Sequence, residues 1–159
     1  MRDLRVLFVC TGNTCRSPMA AELLRQKLKA QGVEGLKVLS AGTAAVPAAP
    51  ASTQAAQVMA DAGLDLDRHR AQQVTAALLR SAELVLTMTR AQRGWLLSEF
   101  DVPRLAQKTF VLKRYAFEGL NEGEQVDICD PLGWGVECYR RTAQELEAAL
   151  TAALPRLKR

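Results

Sequence analysis

"VLFVCTGNTCRSPMA", Val6 to Ala20, is an apolar run that stops at a cysteine, passes through small polar residues, and meets an arginine, a serine and a proline before a helix-like pattern begins. The first part, Arg5–Val9, reads as a strand buried on both faces. The last part opens a helix over Pro18–Gln31, with Met19, Leu23, Leu24 and Leu28 at helical spacing and Gly32 as its stop. A buried strand passing through a short loop into a helix is the first half of a strand–helix–strand unit, and the rest of the chain repeats that alternation.

Further strands are expected at Leu36–Ser40, Glu83–Met88 and Thr109–Leu112, and further helices at Ser52–Ala62, from Thr75 to Ser81, and over Thr89–Ser98 with Thr89 as its cap. Thr43–Pro50 and Leu64–Val74 read as connections, and Gly119–Asp130 as an acidic loop. A long last helix starts near Val136 and is expected to end at Pro155. Strands that alternate with helices pair in parallel through right-handed crossovers. The expected fold is therefore an α/β three-layer sandwich, flavodoxin-like, with a four-stranded parallel sheet in one domain spanning residues 1–159. In such a sheet, sites form at the carboxyl ends of strands, which is where Cys10 stands.

Bulk properties exclude several classes. The chain has 159 residues, a net charge of +4 and 24% charged residues. Its basic residues are scattered rather than clustered, so no nucleic-acid footprint is expected. No apolar run approaches the roughly 20 residues of a membrane span. Met-Arg-Asp leads directly into a strand, so no signal peptide is read and a cytoplasmic location is expected. Four cysteines (Cys10, Cys15, Cys129, Cys138) and a single histidine, His69, suit neither a disulfide framework nor a zinc site. No metal and no cofactor are implied, and a monomer is expected.

The chemistry lies in the loop. A loop that enters a helix N-terminus presents free N–H groups, and the helix dipole adds about half a positive charge there. Gly12 admits a close backbone approach and Asn13 tolerates left-handed geometry. Arg16 offers a planar fork for two phosphate oxygens. Thr11, Gly12, Asn13, Thr14, Cys15 and Ser17 thus complete a cradle for a phosphate-like dianion. It is not a Walker A loop, because the lysine of that motif is absent. The same groups favour a thiolate at Cys10, and Ser17 can donate to its sulfur. In-line attack of sulfur on phosphorus would give a phosphocysteine, with Arg16 and the N–H array stabilising the transition state. The bland alternative is a buried core cysteine at a strand end. A leaving group also needs an acid, and Asp130–Pro131 stands out, although an Asp-Pro turn is common.

These residues resemble the phosphate-binding loop of the low-molecular-weight protein tyrosine phosphatases. The C-x5-R-S-P element carries the resemblance, with Gly12, Asn13 and Cys15 in place. Ser40-Ala-Gly, the segment around His69, "SAELVLTMT" at Ser81–Thr89 and "DICDPLGWG" at Asp127–Gly135 follow in family order. The resemblance implies Cys10 as nucleophile, Arg16 as phosphate binder and Asp130 as general acid and base. It implies that Asn13, Ser17, Ser40 and His69 form the hydrogen-bond network supporting the loop. Cys15 stands where relatives carry a second loop cysteine; it is either a trap for oxidised Cys10 or a small residue packed on the sheet. Cys129 and Cys138 receive no role.

Phosphorylated proteins are the implied substrates. Tyrosine-specific members usually carry an apolar residue after the nucleophile and aromatics after Asp-Pro. Here Thr11 and Leu132-Gly133 occupy those places, and C-T-G-N-T-C-R-S-P resembles the bacterial protein-arginine phosphatase branch. Thr11, Leu132 and Trp134 are the candidate specificity residues, with Leu132 a departure from the aromatic that branch often has. Phosphoarginine is the expected substrate and phosphotyrosine the alternative. An arsenate reductase-like enzyme would need cysteines near the third strand, and Glu83–Thr89 has none. A non-catalytic phosphopeptide binder would not need both Cys10 and Asp130.

Overall fold

The computed structural model describes residues 4–120 and 124–158. Four strands, β1 (Leu4–Cys10), β2 (Leu36–Gly42), β3 (Leu84–Thr87) and β4 (Thr109–Val111), form one sheet in the order β2-β1-β3-β4. All three pairings are parallel. Among the described residues, seven α-helices are present: α1 (Arg16–Ala30), α2 (Thr53–Asp61), α3 (Ala76–Ser81), α4 (Arg90–Glu99), α5 (Leu105–Lys108), α6 (Leu112–Ala116) and α7 (Val136–Leu157). Among the described residues, no helix is long and apolar enough to cross a membrane.

β1 is central, so its side chains alternate between two cores. Val6, Phe8 and Cys10 join Met19, Leu24, Met59, Leu146 and Leu150 in the core beneath α1, α2 and α7. Leu7 and Val9 join Leu79, Val85, Leu96 and Leu105 in the core beneath α3, α4 and α5. Phe8 and Leu7 are fully buried, and each such side chain contributes roughly 1.5–3 kcal/mol of burial. The result is the three-layer α/β sandwich with a four-stranded parallel sheet. Register places Cys10 opposite Gly42, at the carboxyl edge where β1 and β2 end together.

Some boundaries differ from the sequence reading. α1 begins at Arg16, not Pro18, so Pro18 sits in the first turn, where its missing N–H costs nothing. α7 does not end at Pro155; it runs on to Leu157. Leu154 and Leu157 are buried against the core, and Lys158 N–H donates to Leu154 O, so packing outweighs the one lost backbone bond. α5 and α6, at four and five residues, are too short to show a periodic signal. The acidic stretch Gly119–Asp130 contains a short 3₁₀ turn at Glu124–Val126; its residues 121–123 lie outside the described residues.

Candidate active site

The loop after β1 is shaped by one left-handed residue and one glycine on the neighbouring strand. Asn13 has φ of 56°, a conformation that asparagine tolerates. Gly42 lies directly against the loop: a Cβ there would sit 2.4 Å from Thr11 O and 3.1 Å from Asn13 Cβ. Thr11 O is fixed in turn by Ala44 N–H at 2.9 Å. Gly42→Ala therefore forces the loop to move. It is expected to destabilise the protein by about 1–3 kcal/mol and to weaken inorganic phosphate binding, read by thermal melting and calorimetry.

Asn13 organises the loop from its base. Asn13 Oδ1 accepts from Gln72 N–H at 2.9 Å, which fixes the orientation of the amide. Asn13 Nδ2 is then the donor, to Ser17 Oγ at 2.8 Å and Ser40 Oγ at 3.0 Å. Ser17 Oγ lies 2.9 Å from Cys10 Sγ. Because Ser17 already accepts from Asn13, its own proton is left for the sulfur. A backbone N–H thus sets the polarity of a chain of hydrogen bonds that ends at Cys10, whose side chain is 2% exposed. His69 Nε2 donates to Asn13 O at 2.6 Å. Burial lowers the His69 pKa below its ordinary value, so the ring is neutral at pH 7 with its proton on Nε2.

Cys15 is the N-cap of α1 and makes no side-chain capping bond. Among the described residues, none of the backbone N–H groups from Gly12 to Ser17 has an acceptor. These groups lead into a 15-residue helix, so their positive ends and the dipole converge on the same space. Thr14 holds the outer rim through its carbonyl, which accepts from Ser52 N–H at 2.9 Å. Cys15 is buried beside Cys10; burial pushes its thiol pKa well up, so Cys15 stays protonated.

Arg16 is buried and joins the cradle to the loop that carries Asp130. Arg16 Nη1 donates to Ile128 O at 2.9 Å, and Nη2 lies 3.6 Å from Asp130 Oδ2. Asp130 is 45% exposed, with Oδ1 accepting from Leu132 N–H at 3.0 Å. The same loop is pinned by two further residues. Ile128 N–H donates to Met88 O at 2.9 Å, and Asp127 accepts from Arg90 N–H, the first of α4, at 2.9 Å and from its guanidinium. The carboxyl is therefore held over the cradle by the chain's own framework, half open to water.

Leu132 and Trp134 follow Asp130 and are 67% and 68% exposed; neither packs into the core. Thr11 is exposed too, and Gln92 Nε2 donates to its Oγ1 at 3.1 Å. Gln92 is the residue sequence reading missed. Its signal was present, because Thr89-x-x-Gln92 is a capping-box pattern. Gln72, Asp127 and Arg90 were missed as well, and they carry no local signal. Among the described residues, no group of three or more His, Cys, Asp and Glu could hold a metal ion.

The sequence pattern of the low molecular weight phosphotyrosine protein phosphatase family matches residues 5–159. A probable low molecular weight protein-tyrosine-phosphatase, EpsP, of Ralstonia nicotianae is 39% identical over 153 residues, covering 96% of this chain and 95% of that protein. A protein-arginine-phosphatase of Geobacillus stearothermophilus is 38% identical over 154 residues, covering 97% and 96%. Among solved structures, a cysteine-to-serine variant of the YwlE arginine phosphatase with a phosphorylated active-site serine superposes with a TM-score of 0.88 at 34% identity, covering 98% of this chain and 97% of that one.

Proposed function

The chain belongs to the low molecular weight phosphotyrosine protein phosphatase family, and from that premise we propose that it hydrolyses phosphoarginine side chains of proteins through a phosphocysteine at Cys10. The observation that carries this reading is the hydrogen-bond chain from Gln72 N–H through Asn13 and Ser17 to Cys10 Sγ, beneath six backbone N–H groups with no acceptor among the described residues.

Cys10 sulfur attacks phosphorus in line, forming S–P as P–N breaks. The N–H groups of Gly12 to Ser17 and the Arg16 guanidinium take up the charge on the equatorial oxygens. Asp130 gives its proton to the departing guanidine nitrogen. A water then attacks phosphorus, Asp130 takes its proton, P–S breaks, and phosphate leaves with Cys10 restored as thiolate. Asn13, Ser17, Ser40 and His69 hold the loop in the attacking geometry.

Thr11 next to the nucleophile and the Geobacillus relative support phosphoarginine. The Ralstonia relative, named as a probable tyrosine phosphatase, supports phosphotyrosine as the second reading. The test is kcat/KM on matched peptides carrying one or the other phosphoryl group. A ratio above about ten for phosphoarginine, more than 1.4 kcal/mol of discrimination, is expected. A ratio below one makes this a tyrosine phosphatase. Thr11→Ile is expected to move the ratio toward the aryl phosphate, and an unchanged ratio removes Thr11 as the selector.

A further inference from the structure

Gln92 is 5% exposed in the first turn of α4, and both ends of its amide are committed. Gln92 Oε1 accepts from Met88 N–H at 2.9 Å and Thr89 N–H at 3.0 Å. Those backbone donors cannot reverse, so the oxygen must face them and the NH₂ must face the other way. That NH₂ meets Thr11 Oγ1, 81 residues away in sequence, at the first position after Cys10. A helix cap alone does not require this. Glutamate and glutamine serve the capping box equally well, but only the amide also supplies a donor. A hydroxyl that accepts from Gln92 cannot aim its own proton at the same group. The Thr11 proton is thereby turned to the remaining side, at the rim of the cradle.

We propose that Gln92 is a positioning residue for the phosphatase reaction: it fixes the Thr11 side chain and leaves its hydroxyl as a donor for a phosphoryl oxygen of the bound substrate. The inference rests on the reading that the Cys10–Ser17 loop binds a phosphoryl group. It places a positioning element in the first turn of α4, outside the phosphate loop itself. Thr11 then acts in a geometry that α4 imposes on it.

The test is a double-mutant cycle of Gln92→Glu with Thr11→Val, read both as kcat/KM on a phosphoarginine peptide and as affinity for inorganic phosphate. Gln92→Glu keeps an acceptor for Met88 and Thr89 N–H, so α4 stays capped, but it forces the Thr11 proton onto the carboxylate. Losing one donor to a charged oxygen is expected to cost about tenfold in both readouts. In the Thr11→Val background the same change is expected to cost less than about twofold, because the hydroxyl it acts through is gone. Thr11→Ser, which keeps the hydroxyl, is expected to restore the full dependence on Gln92. Equal losses in the Thr11 and Val backgrounds, or no loss at all, overturn the proposal. If the wild-type protein releases phosphate from neither phosphopeptide, the functional reading fails, and the phosphate-affinity cycle still decides the role of Gln92.

Discussion

Cys10→Ser is expected to lose at least about 10⁴-fold in turnover, with inorganic phosphate affinity held within a few-fold of wild type. The two readouts separate because the two functions rest on different atoms. Binding is carried by the N–H groups from Gly12 to Ser17 and by Arg16, none of which the substitution touches. Turnover needs the sulfur, because a serine hydroxyl is a far weaker nucleophile at neutral pH and a poor leaving group from phosphorus. The site accepts the smaller oxygen without rearrangement: Cys10 is buried, and Ser17 still has its proton to donate. Substantial residual turnover would rule out covalent catalysis by Cys10. Loss of phosphate affinity together with turnover would mean that the substitution had disturbed the loop.

Asp130→Asn is the second large effect. The amide keeps an oxygen for Leu132 N–H, so the loop after Asp130 keeps its local bond. The loop is also tied by Arg16 to Ile128 O, by Ile128 N–H to Met88 O, and by Arg90 to Asp127. What is lost is the proton, together with the carboxylate charge 3.6 Å from Arg16 Nη2. Withdrawing a positioned general acid costs about 10²–10⁴-fold, and a guanidine nitrogen, a strong base, leaves badly without one. The loss in kcat/KM, which reports the first step alone, is expected to be large with a phosphoarginine peptide and much smaller with p-nitrophenyl phosphate, whose phenolate leaves unaided. Equal losses with both substrates would mean that Asp130 positions the loop and does not supply the proton.

The order of elements and the cradle were legible because they are local. Five residues separate Cys10 from Arg16, and the run from buried strand to helix start states its own geometry. Asp130 was legible only by resemblance, since nothing nearby distinguishes it from an ordinary Asp-Pro turn. The structure supplies what spacing could not, namely an arginine from α1 reaching 112 residues along the chain to Ile128. Gln92 shows the opposite case. Its capping box is a local signal, yet the far end of its amide meets Thr11 only because β1 and β3 pair in parallel and bring the two strand ends together. Pro155 misled for a similar reason: propensity ends a helix there, and burial of Leu154 and Leu157 carries it on.

The central claim is a phosphoryl group carried on Cys10. The direct measurement is a rapid-quench experiment with Asp130→Asn and p-nitrophenyl phosphate, followed by peptide mapping of the quenched protein. With this leaving group the first step proceeds without the acid, whereas hydrolysis of the intermediate still needs the base. A burst of about one nitrophenol per protein and a phosphoryl group on the peptide that contains Cys10 are expected. Nitrophenol and free phosphate appearing together from the first turnover, with no phosphoryl group on that peptide, would contradict it.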